Sequence, residues 1–186
     1  MLKIAVTGNI ASGKSQAEKI ILKEGYPVYD TDKMAHEILD TLTDFYGYDV
    51  FTDGKIDRKK LGELVFNNAD IKQKLENLIH PKIKSEILQI FEHHKNDKFV
   101  FISVPLLYET GFETLFDKVI LITAEYNIRK QRLIKRNNFS EEEAVKRIQS
   151  QIPQEQKLNK ADYIINNNDS LESLETQIIN LIKTLN

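Results

Sequence analysis

The fold is decided by residues 8–15, which read Gly8-Asn9-Ile10-Ala11-Ser12-Gly13-Lys14-Ser15 and fit the pattern GxxxxGK[ST]. The apolar run Ile4-Ala5-Val6 precedes them and predicts a buried strand, and helix-spaced apolar residues follow them as far as Leu22. Glycines let a chain turn so tightly that successive backbone N–H groups point inward at an anion. The helix that follows adds the partial positive charge of its N-terminus. These residues therefore predict a phosphate-binding loop between a strand and a helix.

Each polar residue of this loop suits a role in binding a nucleoside triphosphate. We expect the Lys14 ammonium to reach the β- and γ-phosphates and the Ser15 hydroxyl to bind Mg²⁺. The other candidate nucleotide contacts are Gly8, Asn9, Ala11, Ser12, Gly13 and Gln16. With average residue usage, a chance match in a chain of this length has a probability of about 1% or less. A chance glycine-rich turn is therefore a poor alternative.

Further strands and helices alternate along the chain. Four more apolar runs predict strands, at Pro27-Val28-Tyr29, Phe99–Val104, Val119–Ile122 and Tyr163–Ile165. Helical patterns separate them, which favours right-handed crossovers and a mostly parallel sheet. The predicted fold is α/β, a P-loop NTPase-type parallel five-stranded sheet flanked by helices. Ligands bind such sheets at the carboxyl ends of the strands.

Two segments exceed the minimal alternation. Residues 33–97 carry apolar residues at helical spacing and no convincing strand, so they predict a helical insertion that is interrupted or restarted at Pro81. Residues 125–160 predict two charged helices, the second with a capping box of Ser140 and Glu143, and could form a mobile lid. The core would then comprise residues 1–32, 98–124 and 161–186.

The composition is that of an ordinary soluble domain, 41% hydrophobic and 29% charged over 186 residues. The net charge of -2 disfavours a nucleic-acid partner. The absence of cysteine excludes disulfides, thiolate zinc sites and cysteine nucleophiles. Neither a signal peptide nor a membrane span is evident, since the longest nearly apolar run is Phe99–Tyr108. We expect a soluble, cytoplasmic protein without a membrane partner, a monomer or weak oligomer.

Two aspartates follow the second predicted strand, Asp30 and Asp32. If the strand continued, its alternation would point both carboxylates to one side. One could then accept a proton from an attacking hydroxyl while the other positions Mg²⁺ or the acceptor. The alternative is that both aspartates cap a helix or turn.

A basic segment, Asn127–Arg136, contains no acidic residue. Its arginines Arg129, Arg132 and Arg136 lie three and four residues apart, on one helical face. We expect Arg132 and Arg136 to fold over the triphosphate and stabilise its charge. Arg129 is expected to belong to the solvated surface.

The histidines show no spacing typical of a metal site. His80 lies among apolar residues and predicts a partly buried core side chain, whereas His93 and His94 are expected at the surface.

Two short motifs imitate a guanine-nucleotide switch. Asn159-Lys160-Ala161-Asp162 matches NKxD, and Asp44-Phe45-Tyr46-Gly47 matches DxxG. In such proteins both motifs follow strands, but here the first precedes a predicted strand and the second follows a poor one. Neither motif has the structural setting that its function needs.

Taken in order, these residues resemble the dephospho-coenzyme A kinase family over nearly the whole chain. The matching segments are Thr7–Ser15, Val28–Asp32, Asp53–Arg58, Leu75-Glu76 with His80-Pro81, Pro105–Glu109, Gln131–Leu133 with Arg136, then Arg147, Gln151, Lys157, Ala161–Ile165 and Asn167. The family usually has Gly at positions 9 and 11 and Thr at position 16. Since Asn tolerates unusual backbone angles, we expect the loop to survive at Asn9.

The resemblance implies transfer of the ATP γ-phosphate to the 3′-hydroxyl of dephospho-coenzyme A, with Mg²⁺. By position, Asp32 resembles the catalytic base and Arg136 a lid residue that contacts phosphates. Asn167 would lie near the ATP base. Acceptor contacts would come from Asp30, Asp32, His80, Pro105, Leu106, Leu107 and Glu109. Residues 33–97 would hold the acceptor, although the chain is shorter than the family near residues 40–48.

Two other functions remain open on the sequence alone. A nucleoside monophosphate kinase shares the core and lid but lacks the Asp53–Arg58 and Pro105–Glu109 segments in this order. A non-catalytic nucleotide switch would bind ATP or GTP without acceptor-dependent turnover.

Overall fold

The computed structural model describes residues 1–41, 49–52 and 55–185. They form two compact units, one of Met1–Asp30 with His94–Asn186 and the other of Thr31–His93. The strands are β1 Leu2–Thr7, β2 Val28–Asp30, β3 Phe51–Thr52, β4 Lys55–Ile56, β5 Phe99–Ser103, β6 Lys118–Thr123 and β7 Tyr163–Asn166. The helices are α1 Lys14–Lys23, α2 Thr31–Asp40, α3 Arg58–Asn67, α4 Ala69–His93, α5 Leu107–Thr110, α6 Tyr126–Asn137, α7 Glu141–Gln149, α8 Gln154–Leu158 and α9 Leu171–Leu185, with a short 3₁₀ helix at Phe112–Leu115.

The first unit is built on a five-stranded sheet of order β2-β5-β1-β6-β7 in which every pair of neighbours is parallel. All five predicted strands are present, and the predicted α/β fold is confirmed. Alternate residues of the central strands, such as Ile4, Phe101 and Ile122, pack with α1 and α9 in one hydrophobic core. The intervening residues, such as Ala5 and Ile102, are also fully buried. Since both faces are covered, the strands read as unbroken apolar runs.

The second unit contains the helices α2, α3 and α4 and one hairpin. The expectation of no strand between residues 33 and 97 was wrong, because β3 and β4 pair antiparallel with Phe51 opposite Ile56. Strands of two residues are too short to show alternation, which explains the miss. Asp57 follows the hairpin and caps α3 by accepting hydrogen bonds from two backbone N–H groups. Asp53 and Gly54, part of the family-like segment, lie outside the described residues.

Helix α4 continues through Pro81, contrary to the expected interruption. A proline inside a helix removes one hydrogen bond and costs about 3 kcal/mol. Ile79, Ile83 and Ile87 flank it and are buried, and each contributes about 1.5–3 kcal/mol on burial. Packing therefore outweighs the local cost. No helix in the described part of the chain is both long and apolar enough to cross a bilayer.

The predicted lid segment, residues 125–160, contains three helices rather than two, since Gln154–Leu158 forms the short helix α8. Because the sequence of α8 is polar, no apolar pattern indicated this helix. The capping box of Ser140 and Glu143 is confirmed at the start of α7. Helices α6 and α7 share a small core of Leu133, Ala144 and Ile148.

Two surface expectations fail. His94 accepts or donates a hydrogen bond at the Tyr29 hydroxyl over 2.6 Å, and its side chain is largely buried. Arg129 is only 5% exposed, and its Nε and Nη1 atoms have no hydrogen-bond partner among the described residues. Burial lowers the pKa of Arg129 because it disfavours the charged form. The pattern of basic residues gave no sign that one arginine points inward.

We predict that Arg129→Met raises the free energy of unfolding by about 1–3 kcal/mol, because it replaces an incompletely paired buried charge with an apolar side chain. Chemical denaturation measures this change. Lys135→Met is the matched control, since Lys135 is exposed on the same helix and should change stability by less than about 0.5 kcal/mol. A large destabilisation by Arg129→Met would show that the guanidinium is well satisfied.

Candidate active site

The predicted phosphate-binding loop runs between β1 and α1 and contains two left-handed residues, Ala11 with φ 60° and Gly13 with φ 97°. Positions 9 and 11 are the two at which the family usually has glycine. Asn9 is not left-handed, so only the alanine at position 11 strains the loop. For alanine this conformation costs about 1–2 kcal/mol. Ala11 packs against the α6–α7 core, which offsets part of that cost.

The two glycines of the pattern, Gly8 and Gly13, have no room for a side chain. A Cβ on Gly8 would lie 2.6 Å from the Ile122 carbonyl oxygen. A Cβ on Gly13 would lie 1.8 Å from Nδ2 of Asn167. The loop is thus closely packed on its protein side.

Asn167 and Arg132 bind the outer side of this loop. The Asn167 amide donates to the Ser12 carbonyl at 2.8 Å, and its backbone N–H donates to Thr123 at the end of β6. Arg132 donates to the carbonyls of Ala11, Ser12 and Asn167 at 3.4, 3.4 and 2.9 Å. These bonds use loop carbonyls and occupy none of the loop N–H groups, although the Ser12 N–H is itself bonded to the Asn9 carbonyl at 3.0 Å. The predicted residues Arg132 and Asn167 are therefore brought to the loop.

The Lys14 ammonium bonds to two polar side chains at the carboxyl end of the sheet, Glu18 and Ser103. It donates to Glu18 Oε1 at 2.7 Å and to the Ser103 hydroxyl. Ser103 in turn donates to Glu18 Oε1 at 2.6 Å. Sequence reasoning missed Glu18 and Ser103. The available signals were the four-residue spacing from Lys14 and the polar end of an otherwise apolar strand.

Asp30 and Asp32 do not share one extended segment. Strand β2 ends at Asp30, which pairs in register with Ser103. Thr31 begins helix α2, so Asp32 is an exposed residue of a first helical turn and the assumed strand alternation does not apply. An acid in that turn also suits the helix dipole.

A second set of contacts joins the lid segment to the loop. The Gln151 side chain accepts from the Ile10 N–H at 2.7 Å, and Asn9 donates to the Ile152 carbonyl at 2.8 Å. Lys157 is fully buried and donates to Glu109 at 2.8 Å. Glu109 also accepts from the Ile152 N–H at 3.4 Å. The predicted acceptor residue Glu109 thus fixes the end of the lid segment.

The remaining predicted residues are more dispersed. Pro105 follows β5, Leu106 is 43% exposed, and Leu107 is fully buried. Ser15 and Gln16 are exposed in the first turn of α1, and Arg136 is exposed and bonds to the Asn137 side chain. His80, in α4 of the second unit, is partly buried as expected.

The two switch-like motifs have no switch-like setting. Asp162, the last residue of the apparent NKxD, accepts from the Val119 N–H and the Lys118 ammonium, each at 2.8 Å. It therefore helps to join β6 to the start of β7. The apparent DxxG at Asp44–Gly47 lies outside the described residues.

We predict that Gly13→Ala weakens ATP binding more than tenfold and lowers the free energy of unfolding by about 2–4 kcal/mol. The change adds backbone strain and displaces the buried Asn167 amide from its hydrogen bond. Calorimetric titration and chemical denaturation measure the two effects.

Gly25→Ala is the matched control, since Gly25 has a similar φ of 89° but open space around its Cβ position. Gly25→Ala should lower the free energy of unfolding only through backbone strain, by about 1–2 kcal/mol, and should leave ATP affinity unchanged. Equal losses of stability in the two variants would contradict the close packing of Asn167 on the loop.

Known proteins match this chain over nearly its full length. The family model described as CoaE, dephospho-CoA kinase, matches residues 2–173. A dephospho-CoA kinase of Listeria monocytogenes is 34% identical over 97% of this chain and 95% of its own. The solved dephospho-CoA kinase of Campylobacter jejuni is 36% identical with a TM-score of 0.77, over 98% of this chain and 96% of its own. A crystal structure from Thermus thermophilus reaches a TM-score of 0.88 at 31% identity, covering 100% of this chain and 98% of its own. The chain therefore belongs to the dephospho-CoA kinase family.

Proposed function

We propose that this protein transfers the γ-phosphate of ATP to the ribose 3′-hydroxyl of dephospho-coenzyme A, giving coenzyme A and ADP in the last step of coenzyme A biosynthesis. The observation that carries this function is the preformed phosphate loop with Lys14 at the carboxyl edge of the sheet, in a chain that matches the family over residues 2–173.

The loop and the first turn of α1 bind the triphosphate in this proposal. Backbone N–H groups of the loop and of the first turn of α1, other than those of Ile10 and Ser12, hold the β- and γ-phosphates. Lys14 moves from Glu18 to the transferring phosphate. Arg132 is already bonded to three carbonyls, so it holds the loop in place. Arg136 has an exposed guanidinium on the same helix and contacts the phosphates when the lid segment closes.

Asp32 accepts the proton of the attacking hydroxyl. Its carboxylate is exposed, which suits a group that must meet a second substrate. Loss of the proton to Asp32 lets the ribose oxygen attack the γ-phosphorus while ADP departs on the opposite side. The acceptor is held by residues 33–97, including His80, and by Asp30, Pro105, Leu106, Leu107 and Glu109.

The residues present fit a hard cation. Ser15 exposes a hydroxyl in the first turn of α1, and Asp30 presents a carboxylate at the end of β2. Oxygen ligands of this kind suit Mg²⁺, which also binds phosphate oxygens and water. When bound, it neutralises charge on the β- and γ-phosphates. We further propose that the enzyme works in the cytoplasm as a monomer or weak oligomer.

The proposed reaction predicts ADP formation that depends on dephospho-coenzyme A. Coupled detection of ADP follows the rate with Mg²⁺ and ATP, and mass spectrometry identifies a product heavier by one phosphate. Turnover with AMP or another nucleotide instead, and none with dephospho-coenzyme A, would contradict the proposal.

Lys14→Ala should lower kcat by about 10²–10³-fold while the protein stays folded, because one charge that stabilises the transferring phosphate is lost. Lys19→Ala, an exposed lysine of the same helix, serves as the control and should retain normal turnover. Steady-state kinetics measures both. Near-normal turnover of Lys14→Ala would contradict a role for the loop in phosphoryl transfer.

Asp32→Asn should lower kcat by about 10²–10⁴-fold, since an amide cannot accept the hydroxyl proton, and ATP affinity should hardly change. Asp40→Asn, at the other end of α2, is the matched control. Loss of ATP binding in Asp32→Asn would assign this residue to the nucleotide site instead of the base.

A further inference from the structure

The end of strand β5, next to β1, carries no aspartate. Phosphate-loop enzymes generally hold Mg²⁺ with the Ser or Thr of the loop and with a separate aspartate outside it. Strand β5 is one of the two strands that pair with β1, and it ends in Ser103, whereas the next strand, β2, ends in Asp30. A serine cannot supply the negative charge that an aspartate would.

Glu18 supplies a carboxylate at this position from a different element. It lies one turn after Lys14 in α1, and its Oε1 accepts from the Ser103 hydroxyl at 2.6 Å. The Lys14 and Glu18 side chains are each only 13% exposed. Ser103 thus holds a helix carboxylate at the end of the strand, beside the lysine of the loop.

Helix stability alone does not explain this arrangement. In pairs spaced by four residues, the order acid-then-base is the favourable one, whereas here Lys14 precedes Glu18. A lysine in the first turn is also unfavourable for the helix dipole. The position of the pair at the phosphate loop offers a functional explanation.

We propose that Glu18, oriented by Ser103, is a positioning residue that holds Lys14 before ATP arrives and makes ATP binding depend on the divalent cation. This role rests on the proposed function, because it assigns Lys14 to the phosphates. Once Lys14 turns to the phosphates, the Glu18 carboxylate faces the triphosphate without its partner. Like charges at close range repel, and a divalent cation removes that repulsion.

The test compares ATP affinity with and without Mg²⁺. Calorimetric titration of the full chain in excess Mg²⁺ and in excess EDTA gives the enhancement factor. For the unchanged protein we expect Mg²⁺ to strengthen binding by at least about tenfold, within the usual range of coupling between sites. Glu18→Gln should bind ATP more tightly in EDTA, and its enhancement factor should fall by at least about fivefold.

Two further variants make the result specific. Glu24→Gln removes an exposed glutamate just after the same helix and should leave the enhancement factor unchanged. Combining Glu18→Gln with Ser103→Asp places the carboxylate on the strand and should restore the enhancement. Ser103→Ala releases the Glu18 carboxylate and also removes one hydrogen-bond acceptor of Lys14. It should reduce the enhancement factor, and it provides the measurement if Glu18→Gln does not fold.

An unchanged enhancement factor in folded Glu18→Gln or Ser103→Ala would overturn the role of Glu18. That result leaves the proposed reaction intact if the unchanged protein still phosphorylates dephospho-coenzyme A. Conversely, an enhancement that depends on Glu18 in a protein without such turnover would overturn the reaction alone.

Discussion

The candidate site depends on one hydrogen bond, which Asn167 donates to the Ser12 carbonyl. The Asn167 amide occupies the space that a side chain at Gly13 would need. The bond fixes the loop between β1 and α1 and joins it to the segment after β7. Asn167 is only 6% exposed, so this bond is shielded from water and costly to lose. The bonds from Asn167 and Arg132 to the loop carbonyls hold the loop against the start of α1, where helix N–H groups can meet an anion. In the proposed function, phosphate binding depends on this packing.

The positively charged side chains around the loop already have bonding partners in the protein. Lys14 is bonded to Glu18 and Ser103, and in the proposed reaction it leaves them for a phosphate. Arg132 is bonded to carbonyls that also shape the loop, so it stabilises structure while contributing positive potential. At the far end of the lid segment, the buried pair of Lys157 and Glu109 anchors the chain. Such a pair contributes little net stability, but breaking it would leave an uncompensated buried charge.

Much of this could be predicted from the sequence because the signals are local. The GxxxxGK[ST] pattern, the apolar strands and the capping box at Ser140 each follow from residues close in the chain. The failures involve tertiary packing. Pro81 remains helical because buried isoleucines flank it, and Arg129 is buried although its neighbours are charged. Glu18 and Ser103 meet across more than eighty residues, which no local pattern reveals. Ala11 is left-handed and Asn9 is not, which residue type alone did not indicate, because loop φ angles depend on the whole turn.

Calorimetric titration of Asn167→Ala with ATP and with dephospho-coenzyme A tests the central constraint most directly. We expect ATP binding to weaken by at least about tenfold, equivalent to about 1.4 kcal/mol, because the loop loses its outer hydrogen bond. The affinity of Asn167→Ala for dephospho-coenzyme A should stay within about twofold of that of the unchanged protein. Asn168→Ala is the matched control, because the Asn168 amide bonds to Glu125 and not to the loop. Both of its affinities should also stay within about twofold. Unchanged ATP affinity in folded Asn167→Ala would show that the loop keeps its shape without this bond and would contradict the account.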